Sequence, residues 1–177
     1  MRARRCCGIV AQGLEEAQAR ALAAELALEE LGGWVLREDA IATVAEPEGL
    51  RSIELQARAV RLARRNGSPE VVAGRAIRLV AAATVGKQML LEILLQSPFR
   101  RLRIDAERFD FRCLGRRMNY DARNNLRELA RSVCALAPAA LRSRGTASLL
   151  ADRRSEPASY EALEDLEREE RWLLTIG

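Results

Sequence analysis

Residues 81–88 read AAATVGKQ. Whether they form a loop that wraps phosphate or part of a longer regular element decides how the middle of the chain is built. A phosphate loop is written Gly or Ala, four residues, then Gly-Lys-Ser/Thr. Ala81 and Gly86-Lys87 fit, but Gln88 stands where the magnesium-binding hydroxyl belongs. Such a loop also needs a strand before it, several permissive backbone positions and a helix after it. Ala81, Ala82 and Ala83 are strong helix formers, and only Gly86 is permissive. Val72, Ala76, Leu79, Ala83, Gly86, Leu90 and Leu94 recur at spacings of three and four through the stretch, as one helix face would. The pattern predicts a buried helix over residues 69–97, started by Ser68-Pro69, ended by Ser97-Pro98, with Lys87 snorkelling from its flank.

Upstream, Glu46-Pro47-Glu48 suits a first helical turn, and Leu50, Ile53, Ala57, Val60 and Ala63 make an apolar stripe with arginines off it. Asn66-Gly67 stops that helix, so residues 46–97 read as a central helical hairpin. It is not a DNA-reading helix-turn-helix, because Val71, Val72 and Ala73 stand where a recognition helix shows polar residues. Nearer the start, CCGIVAQ at residues 6–12 reads as a strand, Leu14 to Leu31 as a helix ended by Gly32-Gly33, and residues 34–45 as a hairpin or two short strands. The opening is then a small β-α-β-β unit.

Downstream, residues 99–117 interleave Arg100, Arg101, Arg103, Arg108, Arg112, Arg116 and Arg117 with Phe109 and Phe111, and read as two short strands or an extended edge. Residues 119–138 restart a helix capped by Asn119 or Asp121, with Ala122, Leu126, Leu129, Ala130, Val133 and Ala137 inward. Arg123, Arg127 and Arg131 recur every four residues on one ridge, suited to phosphates or to an acidic helix. Such a helix closes the chain: after Ser159 come Glu161, Glu164, Asp165, Glu167, Glu169 and Glu170, with Tyr160, Leu163, Leu166, Trp172 and Leu173 for one face. Packing it near the ridge would neutralise the ridge internally.

Composition excludes more than it assigns. The 177 residues include no histidine, which removes Ser-His-Asp triads, Cys-His pairs and mixed Cys/His zinc sites. The four cysteines, Cys6, Cys7, Cys113 and Cys134, show no CxxC spacing, so no metal is implied and the thiols are expected reduced; Cys6-Cys7 leaves a soft-metal or redox role open. Of the 29 basic residues only Lys87 is lysine; arginine suits phosphate, and GC-rich coding produces the same bias. No apolar run reaches membrane-spanning length, and the basic start, Met-Arg-Ala-Arg-Arg-Cys-Cys, is followed by too short an apolar stretch for a signal peptide, so a cytoplasmic protein with no membrane partner is expected.

The expected fold is α+β and predominantly α-helical: a small αβ unit at residues 1–45, a helical core at 46–151 carrying the arginine-rich extended segment 99–117, and an acidic C-terminal helical arm at 152–177. Three functions compete. The first is a non-catalytic adaptor or structural subunit of an intracellular assembly, with no cofactor, binding a protein partner or itself through helix faces and the tail residues Trp172, Leu173 and Leu174. The second is a single-stranded RNA or DNA binder using Arg100, Arg101, Arg103, Arg116, Arg117, Arg123, Arg127 and Arg131 on phosphates and Phe109, Phe111 and Tyr120 for stacking. The third is a phosphate-handling enzyme around Lys87.

Overall fold

The computed structural model describes residues 10, 11, 13–63, 69–96, 98–151 and 159–177. In chain order the elements are α1 (Glu16–Leu28), β1 (Pro47–Leu50), β2 (Ser52–Leu55), β3 (Ala59–Ala63), β4 (Glu70–Ala73), β5 (Ile77–Val85), β6 (Gln88–Gln96), β7 (Phe99–Asp105), α2 (Ala122–Leu136), β8 (Leu141–Arg142), α3 (Arg144–Leu150), β9 (Ser159–Tyr160) and α4 (Leu163–Ile176). Short 3-10 turns lie at Glu38–Ala40, Gly74–Ala76 and Phe111–Arg117. The fold is mixed α/β, not predominantly helical, and the expected helical hairpin over 46–97 is a set of strands.

The correction begins at AAATVGKQ. β5 and β6 run antiparallel, with Val85 opposite Gln88 across a two-residue turn of Gly86 and Lys87. Gly86 has φ +59°, the left-handed conformation a tight hairpin requires at its first central residue. No helix follows the turn, so the strand-loop-helix frame of a phosphate loop is not formed here. The helical period misleads because β5 and β6 are buried on both faces. A strand covered on both sides reads as an unbroken apolar run, and such a run satisfies any period imposed on it.

The six-stranded sheet has the order β1-β7-β6-β5-β8, with β9 also on β5. β1 is parallel to β7, β6 is antiparallel to both β7 and β5, and β8 and β9 are parallel to β5. One face carries Val80, Ala82, Leu91, Ile93, Leu102 and Ile104 against Leu126, Leu129, Ala130 and Val133 of α2 and Leu149 of α3. Ile53, Val60, Leu62 and Val72 of a second, antiparallel sheet, β2-β3-β4, join this core. The opposite face packs Leu79, Ala81, Ala83 and Leu94 against Tyr160 and Leu166, with Leu173 and Leu174 beside them. Burying each Leu or Ile is worth about 1.5–3 kcal/mol, which explains why both faces are covered. α4 is therefore a layer of the sandwich and not an arm.

The element that stands apart is α1, none of whose residues is buried. Its end is closed by Glu30 in the left-handed conformation (φ 59°), with Leu31 N–H on Leu26 C=O, rather than by Gly32 or Gly33. Residues 34–45, expected as a hairpin, form no strand; they pass over α4 with Trp34 edge-on to Trp172 (centroids 5.7 Å apart) and Ala42 N–H on Thr175 Oγ1 (2.9 Å). In 99–117 only β7 is a strand, and the second half is the 3-10 turn. Of the expected strand at residues 6–12 only Val10 and Ala11 are described, and neither is in a strand; Cys6, Cys7 and the Asn66-Gly67 turn lie outside the described residues.

The outer edge of β5 is closed piecewise, as an exposed edge would invite foreign pairing. β8 covers Leu79 and Val80, and β9 covers Thr84 and Val85. Between them the buried Thr146 hydroxyl accepts from Ala82 N–H (2.8 Å) and donates to Val80 C=O (2.8 Å). Thr146→Val keeps the shape, loses both bonds and leaves a buried N–H unmatched; urea denaturation should show a loss of about 1–3 kcal/mol. An unchanged midpoint would mean the edge is closed by other means.

Candidate functional site

The apolar run of β6 is interrupted at Glu92, which is fully buried on the α4 side of the sheet. A carboxylate there must be matched. Register supplies the match: Glu92 lies opposite Arg103 and Leu94 opposite Arg101 on β7, so both guanidinium groups share its face. Arg103 Nε donates to Glu92 Oε1 (2.6 Å), and Arg101 Nε donates to Glu92 Oε2. Arg101 is itself 1% exposed and reaches Glu167 (2.7 Å) and Glu170 (3.0 Å) of α4. Two arginines thus face three carboxyl groups. The Arg101–Glu170 contact has ion-pair distance without hydrogen-bond alignment. Burial, then the Glu92 carboxylate, push the Glu170 carboxyl up to about 9, with Arg101 only partly opposing. Glu170 is the carboxyl of the cluster that keeps its proton.

A second polar group ties α4 to α3. The Tyr160 hydroxyl donates to Glu169 Oε2, Arg144 N–H donates to Glu169 Oε1 (2.7 Å), and the Arg144 guanidinium lies 4.7 Å from the Tyr160 ring centroid. Burial and Glu169 raise the Tyr160 hydroxyl, so it stays a donor and is no base.

These contacts divide the sequence-predicted binding residues. Arg101 and Arg103 belong to the buried cluster. Arg100, its side chain 12% exposed, pairs with Glu48 (2.6 Å) and Glu70 (2.8 Å). Phe109 and Phe111 are buried edge-to-face, with centroids 5.0 Å apart, and present no stacking surface. What remains outside is one strip along the 3-10 turn and α2. It holds exposed Arg116, Arg117 on Ser132 Oγ (3.0 Å), fully exposed Tyr120, half-buried Arg123 and Arg127, and Arg131 paired with Glu128. The acidic C-terminal helix does meet arginines of the chain, but they are Arg101 and Arg144; the strip on α2 lies across the sheet from it. Trp172 faces Trp34, and Leu173 and Leu174 pack on the second core cluster.

Two features escape a reading by periodicity. One is the buried cluster, whose signal is a lone Glu92 inside QMLLEILLQ followed by Arg101-x-Arg103 on the next strand. The other is the apolar surface of an N-terminal arm, residues 14–34: Leu14 (40% exposed), Leu28 (84%), Leu31 (49%) and Trp34 (65%).

Among the described residues no group of three or more Asp, Glu or Cys could hold a metal ion. Burial pushes the Cys113 and Cys134 thiols up, away from the reactive thiolate. No described helix is long and apolar enough to cross a membrane. Compared with protein-family models, curated proteins and solved structures, the chain matches none of them.

The protonated Glu170 has a pH signature. Unfolded, it titrates near 4.5; folded, it keeps its proton to about 9. The folded state therefore holds an extra proton between those values. This group's contribution to stability is full below about 4.5 and declines as pH rises towards about 9. Glu170→Gln mimics the protonated acid, so its urea midpoint should be flatter across this window and higher than the parent's near pH 8. Parallel profiles for the two proteins would contradict a proton held at Glu170.

Proposed function

We propose that the protein is a non-catalytic interaction subunit, an adaptor or structural member of an assembly, that engages a protein partner through its N-terminal arm. The observation that carries this reading is the exposure of Leu14, Leu28, Leu31 and Trp34 on a segment whose helix buries none of its residues. Single exposed apolar side chains are ordinary, but several gathered on one projecting element mark a contact surface. Leu14, Leu28 and Leu31 belong to neither core cluster, whereas Trp34 gives part of its surface to Trp172. The buried arginine cluster fits the same reading, since it orders α4 without offering a site to a substrate.

A second reading, single-stranded nucleic-acid binding, keeps a smaller footprint than the composition suggests. It is favoured by fully exposed Tyr120 between Arg117 and Arg123, an aromatic beside cations of the kind on which bases stack. The withdrawal of Arg100, Arg101, Arg103, Phe109 and Phe111 leaves few phosphate contacts, so affinity at physiological salt should be weak.

Two measurements separate the readings. Leu14→Ser, Leu28→Ser and Leu31→Ser together should leave stability within about 0.5 kcal/mol, as surface changes do, and should abolish co-purification of partner proteins with the full chain; an identical set of co-purifying proteins would defeat the adaptor reading. Anisotropy with labelled single-stranded RNA should show no binding at physiological salt, whereas micromolar binding lost in Arg116→Glu/Tyr120→Ala would favour the second reading.

A further inference from the structure

We infer that the partner of the N-terminal arm is a second copy of this chain, the arm of one molecule seating on the Arg116–Arg123 strip of the next. The inference rests on the adaptor reading and names its partner. Charge selects the seat. The arm carries Glu15, Glu16, Glu25, Glu29 and Glu30 around its leucines, against Arg20, which is already paired with Glu16 at 2.7 Å. Two arms placed side by side would set glutamates against glutamates, which disfavours a symmetric arm-to-arm dimer. The strip across the sheet has the opposite net character, although Asp121 and Glu128 lie along it: exposed Arg116 and Arg117, the latter 4.0 Å from Glu128, flank Met118 (52% exposed) and Tyr120 (109%). An acidic helix with apolar side chains therefore meets a basic surface with apolar side chains, the match that steers and registers an interface.

The same geometry disfavours an arm folding onto its own strip. Trp34 and Ala42 hold the base of the arm against α4, whereas the strip lies on the α2 side of the sheet. α1 buries none of its residues, so it is not seated on the strip of its own molecule. The contact then joins two different patches on two molecules, a head-to-tail arrangement that grows into rings or open chains rather than stopping at a symmetric pair.

Sedimentation velocity of the purified full chain tests this without any other protein present. At low salt the average mass should rise with concentration through the micromolar range and return to the monomer near 0.5 M salt, where the attraction is screened. Glu25→Arg/Glu29→Arg and Arg116→Glu/Arg117→Glu change exposed side chains, and each variant alone should be monomeric. Their equimolar mixture should associate again, because the reversed arm now fits the reversed strip. A parent chain that stays monomeric at every concentration, or a mixture that stays monomeric, overturns the inference. Either result speaks only to self-association; the arm's hold on a foreign protein is decided by the co-purification of the leucine-to-serine variant.

Discussion

A carboxylate sealed between a sheet and a helix sets the terms for much of this structure. Glu92 lies in the middle of a strand buried on both faces, and its charge is tolerable only with partners close at hand. Those partners come from β7 in one register, with Arg103 directly opposite and Arg101 two residues away. A slip of one residue would turn both arginines into the apolar face beneath α2 and leave Glu92 uncompensated. The ion cluster is no large source of stability, since desolvation offsets most of the attraction. It acts by making alternatives costly, and it extends that demand to α4, whose Glu167 and Glu170 complete it.

The position of α4 follows, and with it the shape of the functional problem. Once α4 covers the second face of the sheet, Trp172, Leu173 and Leu174 are engaged internally, with Trp34 and the second core cluster. The segment that leads to Trp34 becomes the projecting element in place of the tail. Several arginines that suggested a nucleic-acid surface are internal counter-charges to Glu48, Glu70, Glu92 and Glu167. Arginine suits that role because its planar fork bonds more than one carboxylate at once, as Arg100 and Arg101 do. Of the arginines read as a nucleic-acid surface, those left outward lie on the strip around Tyr120, while Leu14, Leu28 and Leu31 are exposed on the arm.

Legibility tracked how many faces of an element are buried. α2 was readable: Asp121 caps it, accepting from Arg123 N–H (2.7 Å), and Leu126, Leu129, Ala130 and Val133 line one side. α1 was readable by its Ala and Leu content, although its end was placed at the glycines rather than at Glu30. β5 and β6 were not readable as strands, because an element covered on both sides loses the alternation that identifies a strand. Ala81, Ala82 and Ala83 prefer helix by propensity, and pairing with Leu90, Leu91 and Glu92 across the hairpin overrides that preference. Of the candidate site, Tyr120 and Arg116 are exposed as the sequence suggested, whereas Phe109 and Phe111 close on each other in the core.

By itself the sequence determined which side chains are absent and where some elements begin: a chain without histidine has no imidazole base, and Asp121 caps α2 as read, whereas equally helical signals at Glu46-Pro47 and Pro69 lead into strands. Only the tertiary structure decided which arginines face water, which face of α4 is inside, and that Gly86-Lys87 is a hairpin turn. Those properties depend on residues far apart in the chain becoming neighbours, as Glu92 and Arg101 meet Glu170. Local pattern carries the period of a segment, but the partner that satisfies a buried charge or covers a second face is set by packing.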